Sequence, residues 1–145
     1  MKRRKKGWSP AKTIKYDGIT FKSGLERYCY MALKKAKLFE YYEEESFKIM
    51  EGFSLPNEVY ERQSNGKGEY KRRGGAIRGI TYTPDFTGRD YIIETKGYAN
   101  LTFPVRYKLF KQWAYLNNDS RTLYKPQNQK EVDLTISLIL ESRKK

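Results

Sequence analysis

Histidine is absent from the 145-residue chain, and cysteine occurs once, at Cys29. Without histidine there is no Ser-His or Cys-His nucleophile pair, no His-ligated zinc and no histidine-based nuclease motif. A lone cysteine forms neither an intramolecular disulfide nor a thiolate cage, which is the pattern expected in a reducing cytoplasm. Any catalysis therefore falls to carboxylates, lysine, tyrosine or a carboxylate-held metal. No apolar run approaches the roughly 18 residues that a spanning helix needs, so no membrane partner is expected. Residues 1–6 are basic, but residues 7–12 supply no apolar stretch after them, and a secretory leader is not expected either. Negative charge is scarce as well: 17 Asp and Glu stand against 30 Lys and Arg, for a net charge of +13 and a pI near 9.7. A field of that sign attracts a polyanion, and nucleic acid ranks first.

A chain of this length is expected to form one domain, with residues 1–15 as a basic arm and 16–145 as the body. Asp17-Gly18 reads as a turn into a short strand at 19–21, and Ser23 opens a helix to about Lys37. Leu25, Cys29, Ala32, Leu33 and Ala36 recur at helical spacing and form its apolar face. Residues 38–50 read as a strand from their aromatic content. Residues 51–75, punctuated by Pro56, Asn65-Gly66 and Gly74-Gly75, read as a long irregular connection with room for a hairpin at Asn65-Gly66. Arg62, Lys67, Lys71, Arg72, Arg73 and Arg78 give this region a basic character against the single Glu69, as expected of a flap that grips a phosphate backbone. A β-hairpin is expected from 76–86 and 90–95. It is followed by a basic amphipathic helix over 105–116, whose Leu109, Trp113 and Leu116 face inward while Arg106, Lys108 and Lys111 face nucleic acid. A short strand at 121–125 and a helix opened by Asn128-x-x-Glu131 complete the chain. The fold class is thus α/β.

The chemistry concentrates in Tyr82-Thr-Pro-Asp85-Phe and Ile93-Glu94-Thr95-Lys96-Gly97. If the hairpin turns through Gly88-Arg89, Asp85 opposes Ile92 and shares a sheet face with Glu94 and Lys96. Asp85 and Glu94 are then diagonal neighbours with Cα atoms about 7–8 Å apart, close enough to hold one hard cation, and the Thr95 carbonyl can add a third oxygen. Carboxylates that hold Mg²⁺, beside a lysine that neutralises developing charge, are the layout of a phosphodiesterase; Mn²⁺ is expected to substitute. The alternative is that Glu-x-Lys is a solvated pair on an exposed strand. Its weakness is that these charges lie within an apolar, aromatic stretch, where unpaired burial is costly. Glu26, in Ser23-Gly-Leu-Glu26, fits either a capping box or a further metal ligand.

Four blocks in order, Ser23-Gly-Leu-Glu26, Phe39-Glu-Tyr-Tyr-Glu-Glu44, Tyr82-Thr-Pro-Asp-Phe86 and Glu94-Thr-Lys-Gly97, resemble the Holliday-junction-resolving endonucleases of the phage endonuclease I type, within the PD-(D/E)xK nuclease superfamily. The resemblance spans about residues 17–116. It implies a restriction-endonuclease-like mixed sheet flanked by helices and a metal-dependent active site at Glu26, Asp85, Glu94 and Lys96. It also implies branched DNA as substrate, a homodimer, and a phage-encoded protein acting in the host cytoplasm. The basic 51–78 segment and the tail after Leu116 have no counterpart in the family pattern, so a linear duplex substrate in restriction or genome processing stays open. The rival from another class is a non-catalytic nucleic-acid-binding protein that stacks bases on aromatics such as Trp8 and Tyr70. Paired nicks across a junction need two active sites, and one chain supplies one. The contacts expected to join two copies are the apolar tail at 132–140 and the strand at Ile19–Phe21.

Overall fold

The computed structural model describes residues 13–97 and 100–145, so most of the basic arm lies outside the described residues. The element order is β1 (Ile14–Tyr16), β2 (Ile19–Phe21), α1 (Gly24–Lys35), β3 (Tyr41–Tyr42), β4 (Phe47–Met50), β5 (Phe53–Glu61), β6 (Lys71–Ile77), β7 (Ile80–Tyr82), β8 (Phe86–Thr87), β9 (Tyr91–Ile93), α2 (Phe103–Leu116), β10 (Thr122–Tyr124) and α3 (Gln129–Ser142). The described residues form two compact units. The first comprises residues 13–44, 84–97 and 121–145; the second comprises Glu45–Thr83 and Asn100–Ser120.

In the first unit Asp17 and Gly18 both take positive φ, 53° and 74°, the backbone an Asp-Gly hairpin turn requires. They fold β1 onto β2, with Tyr16 opposite Ile19. Residues 14 and 15, read as part of the arm, therefore belong to the body. Ser23 caps α1 by accepting the Glu26 amide at 3.1 Å. The helix stops where Lys37 enters the left-handed region at φ 56°, and the amides of Lys37 and Leu38 fold back onto the carbonyls of Lys34 and Leu33. A mixed sheet of order β10-β9-β8-β3 supports the helices, parallel between β10 and β9 and antiparallel elsewhere. Its Phe86, Tyr91 and Ile93 join Cys29 and Leu33 of α1 and Val132 and Ile139 of α3 in one core. This architecture is the expected α/β mixed sheet with helices.

The terminal segment is a helix, as its cap signals. Asn128 accepts the Glu131 amide at 2.9 Å and Glu131 accepts the Gln127 amide at 3.1 Å. One face of α3, Val132, Thr135 and Ile139, packs into the unit's own core, while Leu134, Leu138 and Leu140 remain exposed on the rest of the helix, so the tail is apolar on both faces as expected. At its end Arg143 grips the β8–β9 turn through a bidentate pair to Asp90, with Nε–Oδ2 2.8 Å and Nη2–Oδ1 2.7 Å. The guanidinium holds the Asp90 carboxyl below its ordinary range. A carboxyl depressed in the fold adds stability above its unfolded pKa and loses it as pH falls through the folded one. Arg143→Ala is expected to cost about 1 kcal/mol at neutral pH, allowing for partial exposure. In urea titrations at stepped pH the difference from wild type should shrink below about pH 4.

The second unit holds two antiparallel pairs, β4-β7 and β5-β6, and helix α2. Residues 38–50 are thus not one strand: β3 pairs with β8, whereas β4 pairs with β7. The expected 76–86 strand is likewise broken at Thr83-Pro84, because proline has no N–H to give a ladder. The 51–75 connection is not irregular either. It is a long hairpin interrupted between Leu55 and Val59, where Pro56 faces a stretch with Gly74 and Gly75 at φ 131° and 84°. Only glycine takes such angles at low cost. Helix α2 begins at Phe103, and its buried face is Phe103, Phe110 and Ala114, with Trp113 stacked on Phe110; Leu116 is exposed, against expectation. Phe47 of β4 and Tyr82 of β7 close on the Phe110 ring at 5.3 and 4.7 Å.

Candidate metal centre

The β8–β9 hairpin carries the centre, and its register differs from the expected one by two residues. Phe86 pairs with Ile93 and Thr87 with Ile92, while the Gly88 amide bonds the Tyr91 carbonyl, so the turn residues are Arg89-Asp90 rather than Gly88-Arg89. Gly88 is a matter of space. A Cβ there would collide with the Glu40 carboxylate and the Tyr91 ring. A slip of two preserves side-chain parity, so Ile92 pairs with Thr87 and Asp85 and Glu94 lie just outside the ladder, each next to a residue of the Phe86–Ile93 pair.

Asp85 and Glu94 are both buried, 6% and 8% exposed, as is Glu26 at 6%. Three acids below a tenth exposure in a chain this rich in cations need a structural or chemical reason. The amide and hydroxyl of Thr95 both donate to one oxygen of Asp85, Oδ2, at 2.8 and 2.7 Å. These bonds lower the Asp85 pKa, but burial, followed by the charges of Glu94 and Glu26, outweighs them and drives it well above the usual carboxylate range. A cation between these groups would reverse that penalty.

Glu26 is half of a capping box. Its amide receives the Ser23 cap, but its carboxylate does not return to the Ser23 amide: Oε2 accepts from the Lys22 amide at 3.2 Å and from the Tyr42 hydroxyl at 2.9 Å. The carboxylate is thereby held against β3, whose following residue completes the cluster. Oxygens of Glu26, Glu43 and Asp85 lie within 4.8 Å of one another. Glu43 takes φ 50°, which points its amide at the Asp85 carbonyl (2.9 Å), and Lys22 Nζ sits 2.8 Å from its Oε1. That contact, more than the desolvation opposing it, raises the Lys22 pKa.

Two oxygens across one Mg²⁺ are about 4.2 Å apart, twice the ligand distance. Neighbouring oxygens of an octahedral ion are closer, about 2.9 Å, so the trio would draw in around a bound ion, and an all-carboxylate donor set suits a hard divalent ion. Glu94 stands beside this trio rather than in it, with Oε1 4.0 Å from Lys96 Nζ. The Thr95 groups seen at work are its amide and hydroxyl, holding Asp85. Glu26→Gln separates cap from ligand, because glutamine still takes the hydrogen bonds of Lys22 and Tyr42. Its expected outcome is an unchanged melting temperature without metal and a smaller rise on adding Mg²⁺ or Mn²⁺, read by calorimetry.

Glu43 is the residue that sequence reasoning passed over. It lies in the quoted 39–44 block, but among Glu43, Glu44 and Glu45 nothing in the order of letters singles it out; only its backbone turn does. The expected nucleic-acid residues all fall in the second unit. Lys71, Arg72 and Arg73 are on β6, Arg62 and Lys67 in the β5–β6 connection, and Arg78 just beyond β6. On α2, Arg106 donates to the Thr81 carbonyl at 2.5 Å and Lys111 lies over the Tyr107 ring at 4.9 Å, while Lys108 is exposed.

Over residues 6–130, a span that includes every acid of the site, the chain matches the family described as protein of unknown function, DUF1064, and it belongs to that family. No curated protein and no solved structure matches it. Among the described residues no helix is long and apolar enough to cross a membrane.

Proposed function

We propose that the chain is a metal-dependent DNA endonuclease that hydrolyses phosphodiester bonds in branched DNA, working as a homodimer in the cytoplasm, where Cys29 stays a buried thiol. The observation that carries the reading is the meeting of Glu26, Glu43 and Asp85 oxygens within 4.8 Å, in a chain of net charge +13. Buried carboxylates repel phosphates, so a polyanion-binding protein has little use for them without a cation.

Glu26, Glu43 and Asp85 would hold the ion, with Glu94 beside them. A divalent ion bound there supplies positive charge to the phosphate and acidity to a water molecule. Thr95 fixes Asp85 by two hydrogen bonds, so its second oxygen is oriented before substrate arrives. Lys96, near Glu94, is the group placed to orient the attacking water or to offset charge as it builds on the phosphate. In the reaction water adds to phosphorus and one P–O ester bond breaks, leaving a phosphomonoester and a hydroxyl.

The test is a cleavage assay with Mg²⁺ on a synthetic four-way junction beside a linear duplex of matched sequence. Faster cutting of the junction is expected. Cutting of linear duplex alone would move the substrate, and no cutting of either with Mg²⁺ or Mn²⁺ would remove the nuclease reading. Lys96→Ala is expected to slow single-turnover cleavage by about a hundredfold while leaving DNA affinity nearly unchanged, because one lysine is a small part of the whole field. Affinity and rate lost in step would make Lys96 a phosphate anchor only.

A further inference from the structure

The β5–β6 hairpin is exposed along almost its whole length, and its tip carries two large aromatic rings in water: Tyr60 is 53% and Tyr70 69% exposed. An isolated two-stranded ribbon is marginal by itself, and a cross-strand ring pair adds only about 0.2–1 kcal/mol to it, so rings this exposed have most of their surface left for another contact.

The register shows how the tip is organised. Tyr60 pairs with Arg72 and Glu61 with Lys71, so the side chains of Tyr60 and Arg72 share one face. The next pair on that face is residues 62 and 70. The Tyr60 and Tyr70 rings lie 6.2 Å apart with their planes 33° from parallel, which places Tyr70 on the same side. Arg62 holds the Gly68 carbonyl at 3.3 Å and so braces the connection, which also closes through the Gln63 amide on the Lys67 carbonyl and the Lys67 amide on the Asn65 side chain. Arg72 sits 3.6 Å from Glu58. Two neighbouring aromatic rings, tilted 33° to one another, thus stand beside Arg62 and Arg72 on a braced turn. Aromatic faces accept any base, and arginines take the phosphates on either side.

We propose that this tip is a platform for unpaired bases, on which Tyr60 and Tyr70 stack against nucleotides splayed from a strand while Arg62 and Arg72 contact its backbone. Charge complementarity favours a polyanion: residues 53–77 hold five cations against three acids, and paired ring faces beside arginines match the alternating bases and phosphates of a DNA strand. The inference rests on the DNA-processing reading and extends it, because unpaired nucleotides are what a branch point offers and a continuous duplex does not.

The test measures binding by anisotropy with the full chain and metal chelated, so that it needs no cleavage. The probes are a labelled single strand, a four-way junction and a blunt duplex. Tyr60→Ala with Tyr70→Ala is expected to weaken binding to the single strand by at least about tenfold and to the junction by less, while the duplex changes little. Arg62→Gln and Arg72→Gln should each lower the slope of log affinity against log salt by about 0.7 on the single strand. Thermal melting checks that each variant is folded, and quenching of a 2-aminopurine probe on binding, lost in the tyrosine variant, gives a second readout of stacking. Wild-type affinity and quenching in the tyrosine variant would overturn the proposal. So would an equal loss on the blunt duplex, or a preference for anionic vesicles over the single strand. If no DNA is ever cut but the tyrosine variant still loses the single strand, the nuclease reading fails and the platform stands. Cutting that persists with unchanged binding in the tyrosine variant has the reverse meaning.

Discussion

Purified Asp85→Asn protein is expected to cut DNA at least about 10³-fold more slowly than wild type, the scale lost when a group organising transition-state charge is removed, and to bind DNA as well or better. The asymmetry follows from the site. Asparagine keeps an oxygen for the Thr95 amide and hydroxyl, so the hairpin is undisturbed, but it lacks the charge that holds a cation and repels phosphate. The same change should stabilise the metal-free protein. Burial and the neighbouring carboxylates raise the Asp85 pKa, so the fold retains a proton that the unfolded chain releases near pH 4. Wild-type stability without metal therefore falls as pH rises from about 4 toward that raised value, and Asp85→Asn removes this part of the slope. Divalent ion at a hundred times its Kd adds about 2.7 kcal/mol to a folded state that alone binds it, and the variant should lose most of that gain. Thermal melts with and without Mn²⁺ measure both effects. Persistent Mg²⁺-dependent cleavage by Asp85→Asn would end the assignment.

A second large effect is expected at Glu43. Replacing it by Gln should slow cleavage by about 10²-fold or more and reduce the metal-induced rise in melting temperature, since the third carboxylate of the cluster is gone. The informative partner is Glu43→Gly. A non-glycine residue at φ 50° carries a backbone cost of about 1 kcal/mol, which glycine relieves. The exposed end of the Lys22 contact adds little to set against it. Glu43→Gly should therefore unfold no more readily than wild type in urea while being as inactive as Glu43→Gln. A destabilised but active Glu43→Gly protein would show that the residue serves the fold instead.

These two acids mark how far the sequence could be read. The shared face of Asp85 and Glu94 was legible because strand parity survives a register error of two, although only Asp85 of the pair enters the oxygen cluster with Glu26. The caps at Ser23 and Asn128 were legible because a side chain three residues from its amide is a local fact. Glu43 was not, since its place depends on a left-handed backbone after β3 and on an amide reaching Asp85, both set by tertiary pairing. The β5–β6 ribbon was hidden for another reason. Pro56 and Gly74-Gly75 are turn residues in most settings, and only the interruption they share across the ladder shows that they bend two strands rather than end them. The division into two units also left no mark on composition, because each unit is assembled from segments that leave and return.

That leaving and returning has an evolutionary consequence. The Glu43 amide and Asp85 carbonyl, 2.9 Å apart, clasp the two ends of everything between them, so the chain departs from one acid of the cluster and comes back at another. Each doubling of a flexible closed loop costs only about 0.6 kcal/mol of extra closure entropy. Lineages can therefore lengthen, shorten or exchange the excursion, ribbon included, with little penalty to the clasp. On the nuclease reading, target preference is then free to drift while the acid cluster stays in place.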